Sequence, residues 1–379
     1  MEHPRFGSLI AHVALLPDPR IDRTTRHLVL DSVVMAVCAV LGGADTWGDL
    51  AESGRATAEG LQRVLPRPQG SPSPATVARV CARLNPAAFR PCCLAWLAGV
   101  RERTGGPVGG QGLAGDGKTA RQSVARALGR SPVHRVRAWA TDTGLVLGQV
   151  AVEEKRHAST ALPALLPLLE LAGCLVTLAA MGTQQAMAPT LGEPEADDLL
   201  ALQGHPGTWY AEVEWCCPWA DAPQYRGLAP STQATQTTGH GRVERRRTPV
   251  TDALEWRQGR KEGVGVRTIV MVDAWRPQGR EPSCARRYDS SRLGPDAKQS
   301  GASVRGHWTI ETSLHWVLAS AWREDDRRSR QGNAPEHCAR LRQIAVHLLT
   351  HERTHQHGVQ AQRNRAGWDH DDLLTVLGI

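Results

Sequence analysis

The sequence predicts an α/β protein in which a mixed sheet flanked by helices follows an all-helical N-terminal region. Residues 1–98 carry apolar side chains at helical spacing, and residues 103–112 form a glycine-rich break. Beyond the break the pattern changes to short apolar runs of strand length. The 379 residues are enough for two or three domains with a sizeable core.

The N-terminal region contains clear helix signals. RHLVLDSVVMAVCAVLGGADTWGDLAESG (26–54) reads as two helices separated by a Gly-Gly break. In SPSPATVARV (71–80), serine and proline precede an amphipathic run, which is typical of a helix start. RTGGPVGGQG (103–112) is rich in glycine and contains a proline, so it predicts a linker.

After the linker, the pattern predicts three strands, a helix and a returning strand, an order that suggests a mixed sheet covered by helices. These five stretches are GLAGDGK (112–118), RVRAWAT (135–141), LVLGQVAV (145–152), PALLPLLELAG (163–173) and CLVTLAAM (174–181). The Pro- and Gly-rich residues 190–262 predict loops or an insertion. VRTIVMVDAWR (266–276) predicts another strand, and residues 305–350 are strongly helical.

The chain is basic, with a net charge of +7 and a pI of about 9.1. Such an excess favours polyanions such as nucleic acids, although a solvated basic surface explains the charge equally simply. Arginine, which suits phosphate, is concentrated in GRVERRR (241–247) and WREDDRRSR (322–330). No run reaches the roughly 18 apolar residues of a membrane span, and no signal peptide is visible, so we expect a cytoplasmic protein without membrane partners.

The spacing of the cysteines and histidines is only weak evidence for a metal site. The nine cysteines are irregularly spaced and form no CxxC pair, which favours reduced, mostly buried thiols over a zinc site. His347, His351 and His355 recur at i, i+4 and i+8, a spacing that could ligate a metal. No carboxylate cluster adjoins them, so we interpret them as a solvated helix end.

Two acidic residues are candidates for chemistry. Asp116 ends an apolar run before Gly117, where a carboxylate suits a hard cation such as Mg²⁺, although such residues often simply begin turns. Glu311 shares overlapping helix faces with Arg305, His307 and His315 and two tryptophans. It is either a metal-bound carboxylate flanked by phosphate-contacting Arg and His, or a polar contact packed between aromatic rings.

Several motifs in order resemble DDE transposases of bacterial insertion sequences, in the branch that includes the H-repeat-associated proteins. The matching segments extend over nearly the whole chain. They are DPR (18–20), the helix pair and SPSPATVARV of the N-terminal region, AGDGKTARQS (114–123), TGLVLGQVAVEEK (143–155), GHGRVERRR (239–247), RRYDSSRL (286–293) and RGHWTIETSLHWVLASAWRED (305–325).

The resemblance implies an RNase H-like fold in which three carboxylates converge at one edge of the mixed sheet. Two Mg²⁺ or Mn²⁺ ions held there would activate a nucleophile and stabilise the leaving oxygen during DNA cleavage and strand transfer. The implied metal ligands and catalytic residues are Asp116 and Glu311. Expected partners are double-stranded DNA of the element's terminal repeats and, in a homo-oligomer, further copies of the chain.

The basic residues within the resembling motifs are the expected DNA contacts, because their cationic side chains suit phosphates. They are Lys118, Arg121, Arg242, Arg245, Arg305 and His307. The expected domains are a helical transposase-associated domain (1–102), the linker (103–112), an RNase H-like domain (113–350) with a loop-rich insertion around 190–265, and a tail (351–379).

The chain departs from the family pattern at the second catalytic Asp, whose position is occupied by Ala179. A methyl group cannot ligate a cation, and the nearest acids in the sequence, Glu170 and Glu193, are distant along the chain. Other polar family positions have also changed; they are His157, Ala158, Gln203, His205, Pro206 and Ala319. We therefore expect a transposase whose catalysis is impaired and whose two-ion site is weakened. The alternative is a non-catalytic DNA-binding relic or regulator derived from a transposase.

Overall fold

The structure is a computed structural model of the chain. It describes residues 4–20, 25–62, 65, 69–104, 111–120, 133–152, 158–179, 196–202, 209–216, 231–239, 242–254, 265–278, 281–352 and 357–377. The glycine-rich linker expected at 103–112 lies mostly outside these residues.

The described residues of the N-terminal region form six helices, as the helical spacing predicts. They are α1 (Pro4–Val13), α2 (Val29–Leu41), α3 (Trp47–Ala56), α4 (Ala58–Leu61), α5 (Pro74–Arg83) and α6 (Pro86–Thr104). Helix α2 is almost wholly buried, since nearly all its residues are apolar. Helix α3 begins with a capping box, in which Thr46 accepts from the Asp49 amide and Asp49 accepts from the Thr46 amide.

The helix start expected at SPSPATVARV is confirmed. Ser73 is the N-cap of α5, with its side chain accepting a hydrogen bond from the Thr76 amide, and Pro74 occupies the first turn. We expect Ser73→Ala to lower the free energy of unfolding by about 1 kcal/mol, because the Thr76 amide loses its side-chain acceptor and keeps only the Ser73 carbonyl oxygen. Urea denaturation would measure it. Ser303→Ala, at a partly exposed position inside a later helix, is the matched control and should change stability by less than about 0.5 kcal/mol.

One sheet of nine strands follows, in the order β3-β2-β1-β4-β5-β9-β8-β7-β6. The strands are β1 (Gly112–Thr119), β2 (His134–Ala140), β3 (Leu145–Val152), β4 (Leu175–Leu178), β5 (Asp197–Ala201), β6 (Ser231–Gly239), β7 (Arg242–Thr251), β8 (Thr268–Gln278) and β9 (Glu281–Ser291). The pairs β1/β4 and β4/β5 are parallel, whereas the other pairs are antiparallel. The sheet is therefore mixed, which confirms the expected fold class.

The remaining helices pack on this sheet or on other helices. They are α7 (Ala158–Leu165), α8 (Trp209–Cys216), α9 (Ala297–His307), α10 (Trp316–Ser320), α11 (Ala334–Thr350), α12 (Val359–Trp368) and α13 (His370–Leu377), with a π-helix (Ile310–His315) and short 3₁₀ turns (Leu166–Leu168 and Glu324–Asp326). The order β1-β2-β3-α7-β4 is the one that the sequence predicts. Helix α9 packs on β1, β4 and β7, so it spans the centre of the sheet.

The region expected to be loops or an insertion, 190–262, contains β5, α8, β6 and β7 among its described residues. Strand β6 is polar and mostly exposed, and it pairs along its full length with β7. Such a strand owes its regularity to backbone pairing with a neighbour and carries little apolar signal. The strands in this region were therefore not visible from apolar periodicity, while the expected insertion stays a prediction.

The helical region and the sheet share a hydrophobic core. Buried side chains from α2, α6, β1–β4 and α11 belong to one cluster, which includes Trp96, Leu113 and Leu349. Helix α11 contacts α2, α5, α6 and β3.

His347 of α11 is buried, with Nε2 3.3 Å from the Val146 carbonyl oxygen, and burial lowers its pKa to about 3. The interpretation of a solvated histidine end is therefore wrong for His347, while His355 lies outside the described residues.

None of the helices that the structure describes is both long and apolar enough to cross a membrane.

Candidate metal centre and DNA-contacting residues

Asp116 lies in the interior of β1, between β2 and β4, and its side chain is 8% exposed. It follows Gly115, where an added Cβ would come within 2.5 Å of Leu178 Cδ2 and 3.2 Å of Leu162 Cδ2. Glycine at this position therefore allows β4 and α7 to pack closely. The sequence placed Asp116 at the end of an apolar run, whereas the strand continues through Thr119.

Glu311 and His315 lie in the π-helix Ile310–His315. A π-helical turn inside a longer helix is rare and is frequently found at functional sites. The Glu311 side chain is 49% exposed, while that of His315 is 4% exposed. Trp308 and Trp316 are 48% and 67% exposed, so aromatic rings do not bury Glu311 in a packed contact.

Asp116, Glu311 and His315 form a compact cluster, in which one potential ligand atom from each residue lies within 4.8 Å of the others. His315 Nδ1 is 3.4 Å from Asp116 Oδ2 and also 3.4 Å from Glu311 Oε2. The strand and the π-helix therefore bring together the two acids that the sequence singles out. The third member, His315, offers a ring nitrogen, and the sequence did not predict this residue as a metal ligand.

The charges in this cluster are mutually dependent. Burial by itself would lower the pKa of His315, but hydrogen bonding with Asp116 and Glu311 raises it above its usual value. Burial would likewise raise the pKa of Asp116, but hydrogen bonding with His315 and Glu311 lowers it. A cation at this position, either an imidazolium or a metal ion, thus offsets the negative charge of the buried carboxylate.

Ala179 follows β4 directly, next to Asp116. The last residue pair between the parallel strands β1 and β4 is Gly115 with Leu178; Asp116 is the next residue of β1, and Ala179 is the first residue after the end of β4. Neighbouring strands lie about 4.8 Å apart, and parallel partners point to the same face. A carboxylate at position 179 would therefore lie beside that of Asp116, where the chain has a methyl group.

The cluster fits one divalent ion better than two. Two carboxylates and one imidazole can hold a single ion such as Mn²⁺, for which nitrogen and oxygen ligands are both acceptable. A two-ion site needs further oxygen ligands between the metals. Among the residues that the structure describes, this triad is the one group of three such ligands close enough together to hold an ion.

A buried ion-pair network lies behind the cluster. Glu324 is 2.6 Å from Arg137 Nη2, 3.7 Å from Arg135 Nη1 and 3.8 Å from Lys118 Nζ. Lys118 Nζ also lies 3.4 Å from Asp325 and donates to the His315 carbonyl oxygen at 3.3 Å. Lys118 was expected to contact DNA, but here its ammonium group ties β1 to the segment after the π-helix.

His307 is also an interior residue. Its Nδ1 lies 2.9 Å from Thr177 Oγ1, and its side chain is buried between α9 and β4. Burial, and then the nearby Arg287 charge, lower its pKa. This position does not present the imidazole to a phosphate on the surface.

The other expected DNA contacts are distributed differently. Arg305 is half-exposed and lies 3.5 Å from Glu244, while Arg245 is exposed on β7 and donates to Gln236 at 2.9 Å. Arg242 begins β7, but its side chain lies outside the described residues, as does Arg121. The DNA contacts of these residues stay predictions.

Two features of the site were not predicted from the sequence: His315 as a ligand and Glu324 as a buried acid. His315 follows Glu311 by four residues, and that spacing was the available signal for a shared ligand set. Glu324 stands in a charged run, WREDDRRSR, where nothing in the sequence distinguishes a buried acid from an exposed one.

The comparison with protein families agrees with these motifs. Residues 107–349 match the family described as "Transposase DDE domain", and residues 10–97 match the one described as "DDE_Tnp_1-associated". The chain belongs to the DDE transposase family. In this DDE family member, the matched DDE segment contains both Asp116 and Glu311.

Full-length relatives support the same membership. The chain is 33% identical over 374 residues to "Putative transposase YncI" of Escherichia coli O157:H7, covering 98% of this chain and 94% of that protein. It is 30% identical over 381 residues to "H repeat-associated putative transposase YhhI" of Escherichia coli strain K12, covering 97% of each. Among solved structures, a piggyBac transposase synaptic complex with hairpin DNA aligns with a TM-score of 0.43 and 9% identity, over 98% of this chain and 77% of that one.

Proposed function

We propose that this chain is an insertion-sequence DDE transposase that binds double-stranded DNA at element ends and whose DNA cleavage and strand transfer are impaired. The observation that carries the proposal is the register of β1 and β4, whose last pair is Gly115 with Leu178; extended by one residue, it would bring Ala179 beside Asp116. Two acids converge at the site, and the expected third position has no ligand atom. Metal-dependent DNA cleavage and strand transfer would therefore be weakened, while the fold is retained.

The proposed roles of the residues follow from their positions. Asp116 and Glu311 would hold Mg²⁺ or Mn²⁺, with His315 Nδ1 as a further ligand. The bound ion supplies Lewis-acid activation of the nucleophile and charge stabilisation at phosphate. Glu311, being half-exposed, faces solvent from which DNA could approach, whereas Asp116 is fixed in the sheet.

Metal binding by this cluster can be measured without any activity. We expect Glu311→Gln to weaken Mn²⁺ binding by about tenfold or more, because one anionic ligand becomes a neutral amide. Calorimetry or the electron paramagnetic resonance of free Mn²⁺ would measure the affinity. Glu52→Gln, at an exposed glutamate on α3, is the control and should leave the affinity unchanged. Equal Mn²⁺ affinities for wild type and Glu311→Gln would contradict the ligand assignment.

DNA binding is tested by titrating the protein with duplexes of the element's terminal sequence and of scrambled sequence. We expect terminal DNA to bind more tightly, and the logarithm of its affinity to fall linearly with the logarithm of salt concentration as counterions are released. Gel-shift or fluorescence-anisotropy titrations would measure both. Equal affinities for the two duplexes would rule out recognition of element ends.

The second candidate function is a DNA-binding regulator or relic without chemistry, favoured by the same methyl group at position 179. Incubation of terminal DNA with the protein and Mg²⁺ or Mn²⁺ separates the candidates. Slow, metal-dependent nicking supports an impaired transposase, whereas binding without nicking supports the regulator. Cleavage at the rate of an intact transposase would contradict both proposals.

A further inference from the structure

A basic site that shares no residue with the metal cluster lies where the N-terminal helices meet the segment after the π-helix. A cavity of about 580 Å³ opens there. Its lining comes from the start of α3, from residues 323–329 and from α11. The same segment supplies Glu324 and Asp325, the two acids that pair with Lys118, so one stretch of chain serves both the cavity and the buried ion-pair network.

The cavity lining is predominantly cationic. Four arginines line it together with two aspartates: Arg323, Arg327, Arg328, Arg342, Asp45 and Asp326. Both aspartates already have partners, since Asp326 pairs with Arg323 at 3.1 Å and Asp45 with Arg363 at 3.3 Å. Arg342 donates to the carbonyl oxygens of Trp322 and Cys338. Positive charge therefore remains in the cavity after these pairs are formed.

Arg327 is the central side chain of the cavity. Its guanidinium stacks over the Trp47 ring, 5.0 Å from the ring centroid, which fixes its plane. It donates to Ser329 Oγ at 3.1 Å and contacts Cys338 Sγ at 3.6 Å. The structure gives its buried Nη1 no hydrogen-bond acceptor among the described residues. A buried donor without a partner indicates a ligand that supplies the acceptor.

The backbone at the rim of the cavity is also unusual. Arg323 has φ 45° and ψ 41°, and among the described residues no other non-glycine residue has positive φ. Non-glycine residues in this left-handed region are strained, and such strain is concentrated at ligand-binding and functional sites. The strained turn brings Arg323 to the same cavity as Arg327 and Arg328.

From these observations we infer that the cavity lined by Arg323, Arg327, Arg328 and Arg342 is a phosphate-binding site separate from the metal centre. Guanidinium groups bind phosphate oxygens through paired N–H donors, and a preoriented Arg327 would lose little entropy on binding. The phosphate belongs either to a DNA strand or to a free nucleotide or phosphate. The choice of DNA rests on the proposed function, whereas the phosphate site itself does not.

Pyrophosphate is the probe that tests the site without DNA. We expect calorimetry to detect pyrophosphate binding to the wild-type chain, and Arg327→Gln and Arg328→Gln each to weaken it by about tenfold. Arg328 is exposed, so its replacement keeps the test valid if Arg327→Gln fails to fold. Arg330→Gln, an exposed arginine of the same segment outside the cavity lining, is the matched control and should bind as the wild type does.

Terminal duplex DNA forms the second arm of the test. If the ligand is a DNA phosphate, Arg328→Gln should reduce the slope of log affinity against log salt by about 1, while Arg330→Gln leaves it unchanged. Pyrophosphate binding that depends on the cavity arginines, without an effect on DNA, supports a free-phosphate site. The same binding in a protein that binds no DNA supports the cavity and contradicts the proposed function. Absence of pyrophosphate binding, or equal losses in the cavity and control variants, would overturn the inference.

Discussion

Ala179→Asp is expected to increase metal-dependent nicking of terminal DNA by on the order of 100-fold, equivalent to about 2.7 kcal/mol of activation free energy. The substitution places a carboxylate in register with Asp116 across β1 and β4. A third acid provides an oxygen ligand that a second divalent ion needs, and two ions stabilise both the attacking and the leaving oxygen. Nicking of labelled terminal duplexes, with Mg²⁺ and Mn²⁺ compared, would measure the gain.

Two variants show whether that gain comes from metal ligation. Ala179→Asn has nearly the same size but carries no charge, so it should gain much less activity than Ala179→Asp. Combining Ala179→Asp with Asp116→Asn should abolish the gain, because the two carboxylates act on the same ions. An Ala179→Asp protein that folds and binds DNA but remains inert would refute the assignment of position 179 to the second catalytic acid.

Glu324→Ala is expected to lower the free energy of unfolding by roughly 3–5 kcal/mol, because it leaves Arg137, Arg135 and Lys118 without their shared anion. The Glu324 side chain is 3% exposed, and its contact with Arg137 is 2.6 Å long. Removing one member of a buried ion cluster leaves uncompensated charge, which costs far more than losing a surface ion pair. Urea denaturation at neutral pH would measure the loss.

The same glutamate predicts a pH dependence. Burial would raise its pKa, but Arg137, Arg135 and Lys118 lower it to about 2, from 4.5 in the unfolded chain. A lowered pKa means that its stabilisation is fully present above about pH 4.5 and is lost as the pH falls towards 2. The stability difference between wild type and Glu324→Gln should therefore shrink over this range in acid titrations followed by circular dichroism.

Asp326→Asn is the matched control for these measurements. Asp326 belongs to the same 3₁₀ turn and pairs with Arg323, but both side chains are 63% exposed. Solvent screens such a pair, so its loss should change the free energy of unfolding by less than about 1 kcal/mol. Equal destabilisation by Glu324→Ala and Asp326→Asn would mean that the buried network contributes no special stability.

Much of the local structure could be predicted from the sequence. The apolar spacing of α2, the Ser73 cap of α5 and the order β1-β2-β3-α7-β4 follow from periodicity and capping chemistry, which act over a few neighbouring residues. Strands β6 and β7 could not be predicted in the same way. Their regularity comes from pairing with each other, and most β6 side chains are exposed.

The sequence by itself determined the residue types of the candidate site: the acids Asp116 and Glu311, and the methyl group of Ala179. Their ordered motifs also indicated the family. Tertiary structure decided how these groups meet, since the β1/β4 register ends with Gly115 and Leu178, one residue before Asp116 and Ala179, and the π-helix brings His315 to both acids. It also decided that the His307 and Glu324 side chains are buried and that the Lys118 ammonium pairs with Glu324. The physical reason is that burial and electrostatic coupling depend on distances between residues far apart in the chain, which local sequence patterns do not encode.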